Sequence, residues 1–258
     1  MISGLASTVY SWAWCCLLTA LESARGRPDR LLLIYAKSQL WKYIPGNVAQ
    51  IAGRHVVSRA DGYGHGALTL STLYELIGLL SAAGLVSSLT LGLSNAPILA
   101  QFPLIYATSL LACGLPTFYL LHCLLSGSPL LRKLGPAIDA RHIQPLVIVP
   151  CVYYLVFFLL AGSALALQTW PFGHQLGFDE YLLIGFAFAA SWTLGVATPG
   201  APSGIGVREA VLVFILSPLV GTPHAILLSI LFRVVTVGGD LLFWILMEAW
   251  ALRRAPAH

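Results

Sequence analysis

The sequence predicts an all-α polytopic membrane protein, with about five full spans plus two Pro-Gly-broken helical hairpins (re-entrant or paired spans) in an inverted repeat. Three observations predict it. The 258 residues are 58% hydrophobic and only 9% charged, whereas soluble domains carry about 25% charged residues and so can cover themselves with polar surface. Several near-uncharged stretches reach the roughly 20 residues that cross a hydrocarbon core of about 30 Å. Two further apolar regions are each interrupted by Pro-Gly and then by an arginine at the same distance. No hydrophilic stretch is long enough to fold as a separate soluble domain. The chain therefore reads as one integral membrane domain over 1–258: a first span and linker (1–30), a first repeat (31–125), a basic loop (126–142) and a second repeat (143–258). Its chemistry belongs in the membrane or at its surface, and no nucleic-acid partner is expected.

The first apolar run, about 4–22, has no Lys or Arg before it and Arg25, Arg27 and Arg30 after it. Those flanks fit a retained first helix with its C-terminal end in the cytoplasm rather than a cleaved leader. The next region, 31–60, breaks at Pro45-Gly46 into arms of about 14 residues, or roughly 21 Å of helix, short of a crossing. Lys37 and Lys42 also argue against a lone crossing, so a re-entrant or surface-lying hairpin is expected. Its freed backbone must be buried in protein or line a wet cavity. Full spans follow at about 66–92, 97–125 and 143–168. The region 179–220 breaks through Thr198–Glu209, with arms long enough that two full spans remain open, and a last span runs over 223–252. The cysteines at 15, 16, 113, 123 and 151 show no metal-ligand spacing and read as small core residues.

Charge placement gives a topology. With the N-terminus outside, segments 23–65 and 126–142 and the C-terminus are cytoplasmic. They hold twelve of the fourteen Lys and Arg, while the outer loops near 93–96, 169–178 and 221–224 hold none. This is the positive-inside distribution expected of a bacterial cytoplasmic membrane protein. Trp41, Tyr43, Trp170, Trp244 and Trp250 fall near the expected interfaces, where aromatic anchors are common.

The two breaks are related. Pro45 precedes Arg54 and Pro199 precedes Arg208 by nine residues each, with Gly53 and Gly206 just before the arginines. Downstream, Ser71-Thr72-Leu73-Tyr74-Glu75 parallels Ser229-Ile230-Leu231-Phe232-Arg233. The offsets, 154 and 158 residues, nearly agree. Three crossings between the copies would invert the second relative to the first, the arrangement of alternating-access proteins.

Ionisable groups within the bilayer cost roughly 2.5–3.5 kcal/mol each on insertion scales, so each needs a partner or a wet site. Six stand out: Arg54, Glu75, Arg208, Glu209, Arg233 and Asp240. Arg54 and Arg208 are expected two helical turns past their breaks, where a planar guanidinium fork and the amides of a half-helix suit phosphate oxygens. Arg54, close to His55 and Arg59, either snorkels to the surface or contacts a headgroup. Arg208 has no basic neighbour on its side and reads as the stronger headgroup contact. Glu75, at the position matching Arg233, is an expected cross-repeat partner, and a buried Glu75–Arg233 or Asp240–arginine bridge could instead only fix packing. Tyr43, Asn47, Gln50 and Ser203 beside the breaks either bind a headgroup or satisfy freed backbone. No glycine loop for nucleotide phosphates and no His/Cys/carboxylate cluster is present, so no cofactor or metal is expected.

Tyr43-Ile44-Pro45-Gly46-Asn47-Val48 with Gly53-Arg54, and Pro199-Gly200-Ala201-Pro202-Ser203-Gly204-Ile205-Gly206-Val207-Arg208-Glu209-Ala210, resemble the transmembrane flippase region of the lysylphosphatidylglycerol synthases and its stand-alone relatives. The resemblance covers about 31–250 and includes the charged positions Arg233 and Asp240. It implies a flippase that moves a polar-headgroup lipid between leaflets: aminoacylated phosphatidylglycerol in bifunctional members, polyprenyl-phosphate-linked sugars or other glycolipids in stand-alone ones. The aminoacyl-transferase domain of the bifunctional pattern is lacking, so the lipid is not expected to be made here. Ala201-Pro202-Ser203 stands where a plainer Gly-rich turn is usual. The leading expectation is thus a translocase for an anionic-headgroup lipid, not an enzyme, with homo-oligomerisation left open. Two alternatives are an intramembrane enzyme that uses Glu209 or Asp240 as base on a lipid phosphate, and a non-catalytic partner of a glycosyltransferase docked through 23–30 and 126–142.

Overall fold

A computed structural model describes residues 2–22, 28–44, 49–93, 143–173, 176–198 and 200–254. Its order is α1 (Ile2–Leu21), α2 (Pro28–Trp41), α3 (Ala49–Ala60), α4 (His65–Leu93), α5 (Ile143–Leu167), a 3-10 turn at Trp170–Phe172, α6 (Phe178–Ala197), a 3-10 turn at Pro202–Gly204, α7 (Val207–Val220) and α8 (Thr222–Arg254). All regular structure among the described residues is helical. Pro45-Gly46-Asn47, Pro199, the expected span at 97–125 and the basic loop at 126–142 lie outside the described residues.

Six stretches are long and apolar enough to cross a membrane: Gly4–Leu21, His65–Thr90, Val149–Phe172, Phe178–Ala197, Pro202–Val220 and Thr222–Arg253. Four of them match expected full spans. The other two are the arms of the second broken region, each of spanning length and composition. The arms of the first region are shorter: α2 has 14 residues and α3 has 12, about 21 and 18 Å of helix at 1.5 Å per residue. They pack against each other, and the close approach falls where α3 lacks a side chain. A Cβ on Gly53 would lie 2.1 Å from the Trp41 ring. Trp41, part-buried, thus packs the two arms together.

The bundle is apolar outside, and its charged side chains within the helices turn inward, as a lipid solvent demands. On α8, Leu227, Ile230, Val234, Leu241 and Ile245 are exposed, while Asp240 is buried and Arg233 half-buried. Arg233, Asp240 and Glu248 follow one another at seven and eight residues, a single stripe on the inner face. Inside, α1 packs along α5, and α6 lies against α4, α5 and α7. Small residues allow these approaches, since a Cβ on Gly162 of α5 would sit 3.4 Å from the Gly185 Cα of α6. Phe158, Phe188, Trp192 and Phe232 knit α5, α6 and α8 through centroid separations of 5.4–5.7 Å. Cys15, Cys16 and Cys151 are free thiols, Cys15 and Cys151 buried in the core.

Candidate functional site

One cavity of about 350 Å³ opens among these helices, and all six singled-out ionisable residues line it: Arg54, Glu75, Arg208, Glu209, Arg233 and Asp240. Lys42 joins them, as does Gln50. The described lining therefore carries four cations against three carboxylates. How they pair decides what the cavity can do.

Arg54 is not a surface snorkel. It is 3% exposed on α3 and forms a fork-to-fork pair with Glu75 of α4, itself 4% exposed. Arg54 Nη1 donates to Glu75 Oε1 at 3.1 Å and Nη2 to Oε2. The guanidinium lies 4.7 Å from the Trp14 ring centroid and 4.8 Å from that of Tyr35, and the Tyr35 hydroxyl donates to Glu75. The expected Glu75–Arg233 bridge is therefore replaced by Glu75–Arg54. The reason is local: a tight turn at 61–64 joins α3 to α4 and brings residues roughly two and three helical turns from it to one level.

Asp240 also has a full set of partners. Ser7 Oγ of α1 donates to Oδ1 at 2.9 Å, and the Tyr43 hydroxyl donates to Oδ2 at 2.6 Å. Lys42 Nζ reaches Oδ2 at 2.6 Å and also donates to Gln39 Oε1 at 3.0 Å. Asp240 thus pairs with a lysine rather than an arginine, and ties the end of α2 to α1 and α8. Tyr43 is drawn inward by this bond instead of serving as an interface anchor. Trp170 remains outward, 78% exposed.

The second break is built differently from expectation. Arg208 is the second residue of α7, not two turns into a helix. Seven of the nine steps from Pro199 to Arg208 fall in a loop, 200–206, in which Gly200, Ser203, Gly204 and Gly206 all have positive φ. Three of these are glycines, which take left-handed backbone without a Cβ penalty. Ser203, at φ 51°, is the exception, and its carbonyl accepts from Arg233 Nη1 at 3.2 Å. The Arg208 side chain runs through a slot walled by glycines. A Cβ on Gly195 would lie 2.5 Å from Arg208 Cγ, and one on Gly204 would lie 2.9 Å from Arg208 Nε. The guanidinium ends 5.8 Å from the Trp192 ring centroid.

Glu209 does not neutralise it. Its Oε2 accepts from the Gly206 amide at 2.7 Å, capping α7, and its Oε1 stands 3.8 Å from Arg233 Nε. Among the described residues no carboxylate lies within ion-pair range of Arg208. The buried Nε of Arg208 and Nη2 of Arg233 have no hydrogen-bond partner among the described residues. Asn47 lies outside the described residues. The residues that sequence reasoning passed over are Lys42 as a counter-ion, the ring pair Trp14 and Tyr35, and Gly195. Spacing signalled none of these, since each acts on a side chain from another helix.

Together the fold and this cavity define a polytopic helical membrane protein with a charged internal chamber. Comparison with protein-family models, curated proteins and solved structures finds no match.

Proposed function

We propose that the protein is a translocase that moves a lipid with an anionic polar headgroup between leaflets, the headgroup passing through the charged chamber while the tails stay in hydrocarbon. The observation that carries this reading is Arg208: a guanidinium held in a cavity between apolar helices, with no carboxylate of its own among the described residues. A cation so placed is costly, and a transient anion is the natural partner for its donors.

Other features support the same reading. The motifs around Arg54 and Arg208 resemble those of the flippase region described above. The two Ser-x-Leu-aromatic-charged segments sit in matched surroundings. Ser71 and Ser229 each donate to the carbonyl three residues back, Leu73 and Leu231 are 40% and 39% exposed, and Tyr74 and Phe232 are buried. That match favours a duplication, with α2–α3 as the re-entrant counterpart of the second break and the copies inverted. The chamber would then open alternately to either face, in a cytoplasmic membrane with the N-terminus outside. An enzyme acting on a lipid phosphate fits less well, because both candidate bases are engaged, Asp240 by three donors and Glu209 by the cap of α7.

The direct test is reconstitution into vesicles that contain phosphatidylglycerol with a fluorescent tail. A membrane-impermeant reductant should bleach label from both leaflets when the protein is present, and only the outer-leaflet share when it is absent. Equal bleaching in the two preparations would overturn the reading, and a covalently altered lipid would move the protein to the enzyme class.

A further inference from the structure

The two halves carry the same charge at one matched position, Arg54 and Arg208, and opposite charge at the other, Glu75 and Arg233. Where the first has Arg54 with Glu75, closed on itself, the second has Arg208 with Arg233. The charge change converts an ion pair into a pair of cations. Both guanidiniums converge on consecutive residues of the 3-10 turn, since Arg233 Nη1 donates to the Ser203 carbonyl and Arg208 passes against Gly204. Each leaves one buried N–H donor unused, Nε on Arg208 and Nη2 on Arg233.

From this we infer that the second half holds the headgroup recognition site, and that it selects a singly charged phosphodiester whose remaining head is uncharged, such as a glycerol, inositol or sugar. The inference rests on the translocase reading only for the choice of a lipid as ligand. Three features carry it. The described chamber has one cation in excess, which a single negative charge balances and a phosphomonoester dianion would overshoot. Two guanidiniums that each keep a donor without a partner among the described residues suit the two non-bridging oxygens of a phosphodiester in number and charge. A headgroup bearing an ammonium would need a carboxylate, and each has its partners: Glu75 has Arg54 and Tyr35, Asp240 has Lys42, Tyr43 and Ser7, and Glu209 has the Gly206 amide and Arg233. Zwitterionic and aminoacylated lipids are therefore disfavoured. The α7 N-terminus lies beside the same turn and adds its positive dipole end.

The test is native mass spectrometry of the purified full chain in detergent, challenged with equimolar dioleoyl lipids: phosphatidylglycerol, phosphatidylcholine, lysylphosphatidylglycerol and phosphatidic acid. A prenyl-phosphate hexose forms a separate arm that distinguishes the two sources of a monoanionic phosphodiester. The inference predicts that phosphatidylglycerol or the prenyl-phosphate hexose binds about tenfold more tightly than the zwitterionic, aminoacylated and dianionic lipids. Arg208→Gln and Arg233→Gln should each remove most of that preference, the loss of one charge-assisted bond being worth about tenfold. Equal binding of phosphatidylcholine, or a preference for phosphatidic acid or the lysyl lipid, overturns it. If a variant fails to fold, the ranking by the unaltered protein still decides. Selective binding without translocation would sink the transport reading alone, and translocation without headgroup preference would sink this inference alone.

Discussion

Glu75→Gln is expected to destabilise the protein by about 3–5 kcal/mol, because removing one member of a buried ion pair strands the other's charge. Arg54 is 4% exposed at its side chain and Glu75 5%, so solvent screening offers little relief. The Trp14 and Tyr35 rings stay in place over the guanidinium, and cation–π contact of about 2 kcal/mol with a desolvated ring softens the loss without cancelling it. The pair, not either charge alone, is what the fold needs. Arg54→Leu combined with Glu75→Leu should therefore recover most of the stability, short by about 1–3 kcal/mol for the Tyr35 hydroxyl left without its acceptor. Thermal melting of the detergent-purified single and double variants checks this. A single variant that melts with the unaltered protein would show that Arg54 and Glu75 are not joined as described.

The glycines around Arg208 give the second large effect, and their two positions should separate stability from function. At Gly204 a methyl group meets the Gly195 Cα at 2.8 Å on a residue whose φ is +69°. Neither obstacle yields cheaply, because one is backbone and the other is intrinsic. Gly204→Ala should cost about 2–5 kcal/mol, from left-handed strain of about 1–2 and overpacking of about 1–3. At Gly195 the same methyl meets the Arg208 side chain first, 2.5 Å from Cγ and 2.6 Å from Nε. That obstacle is side chain rather than backbone, and no left-handed strain is added, so Gly195→Ala should cost less than Gly204→Ala, about 1–3 kcal/mol of overpacking. It displaces the guanidinium from the chamber, however, and should slow lipid translocation. Melting and leaflet assays on the two variants check the contrast. A Gly195→Ala protein that translocates at the full rate would show that the slot does not position Arg208 for function.

The sequence exposed the scaffold far better than the pairings within it. Apolar length and the Pro-Gly interruptions mark the helices because crossing a bilayer needs a minimum run of uncharged residues, a local property of the chain. The six ionisable residues were visible for the same reason, since charge in apolar surroundings stands out by contrast, and all six line one cavity. Which charge meets which is a property of helix packing. Glu75 looked like a partner for Arg233 by repeat position, yet the turn at 61–64 gives it Arg54 first. Lys42 looked like an obstacle to burial, and that burial is accommodated by Asp240, 198 residues away. Arg208 lies nearer its helix start than its spacing from Pro199 suggests, because the seven loop residues 200–206, four of them with positive φ, rise far less than the same number in a helix. Gly195 carried no signal, since a glycine within an apolar helix gives no sign of what passes across it.

The central claim is that the Arg208 guanidinium, with no carboxylate in ion-pair range among the described residues, carries the lipid head across. Arg208→Ala in the vesicle leaflet assay, with melting run alongside, tests it most directly. Removing a part-buried cation that has no carboxylate of its own among the described residues should leave stability unchanged or raised. Translocation should fall about tenfold or more, and Arg208→Lys should restore part of it, as a point charge lacking the planar fork. A stably folded alanine variant that moves lipid as fast as the unaltered protein would contradict the account.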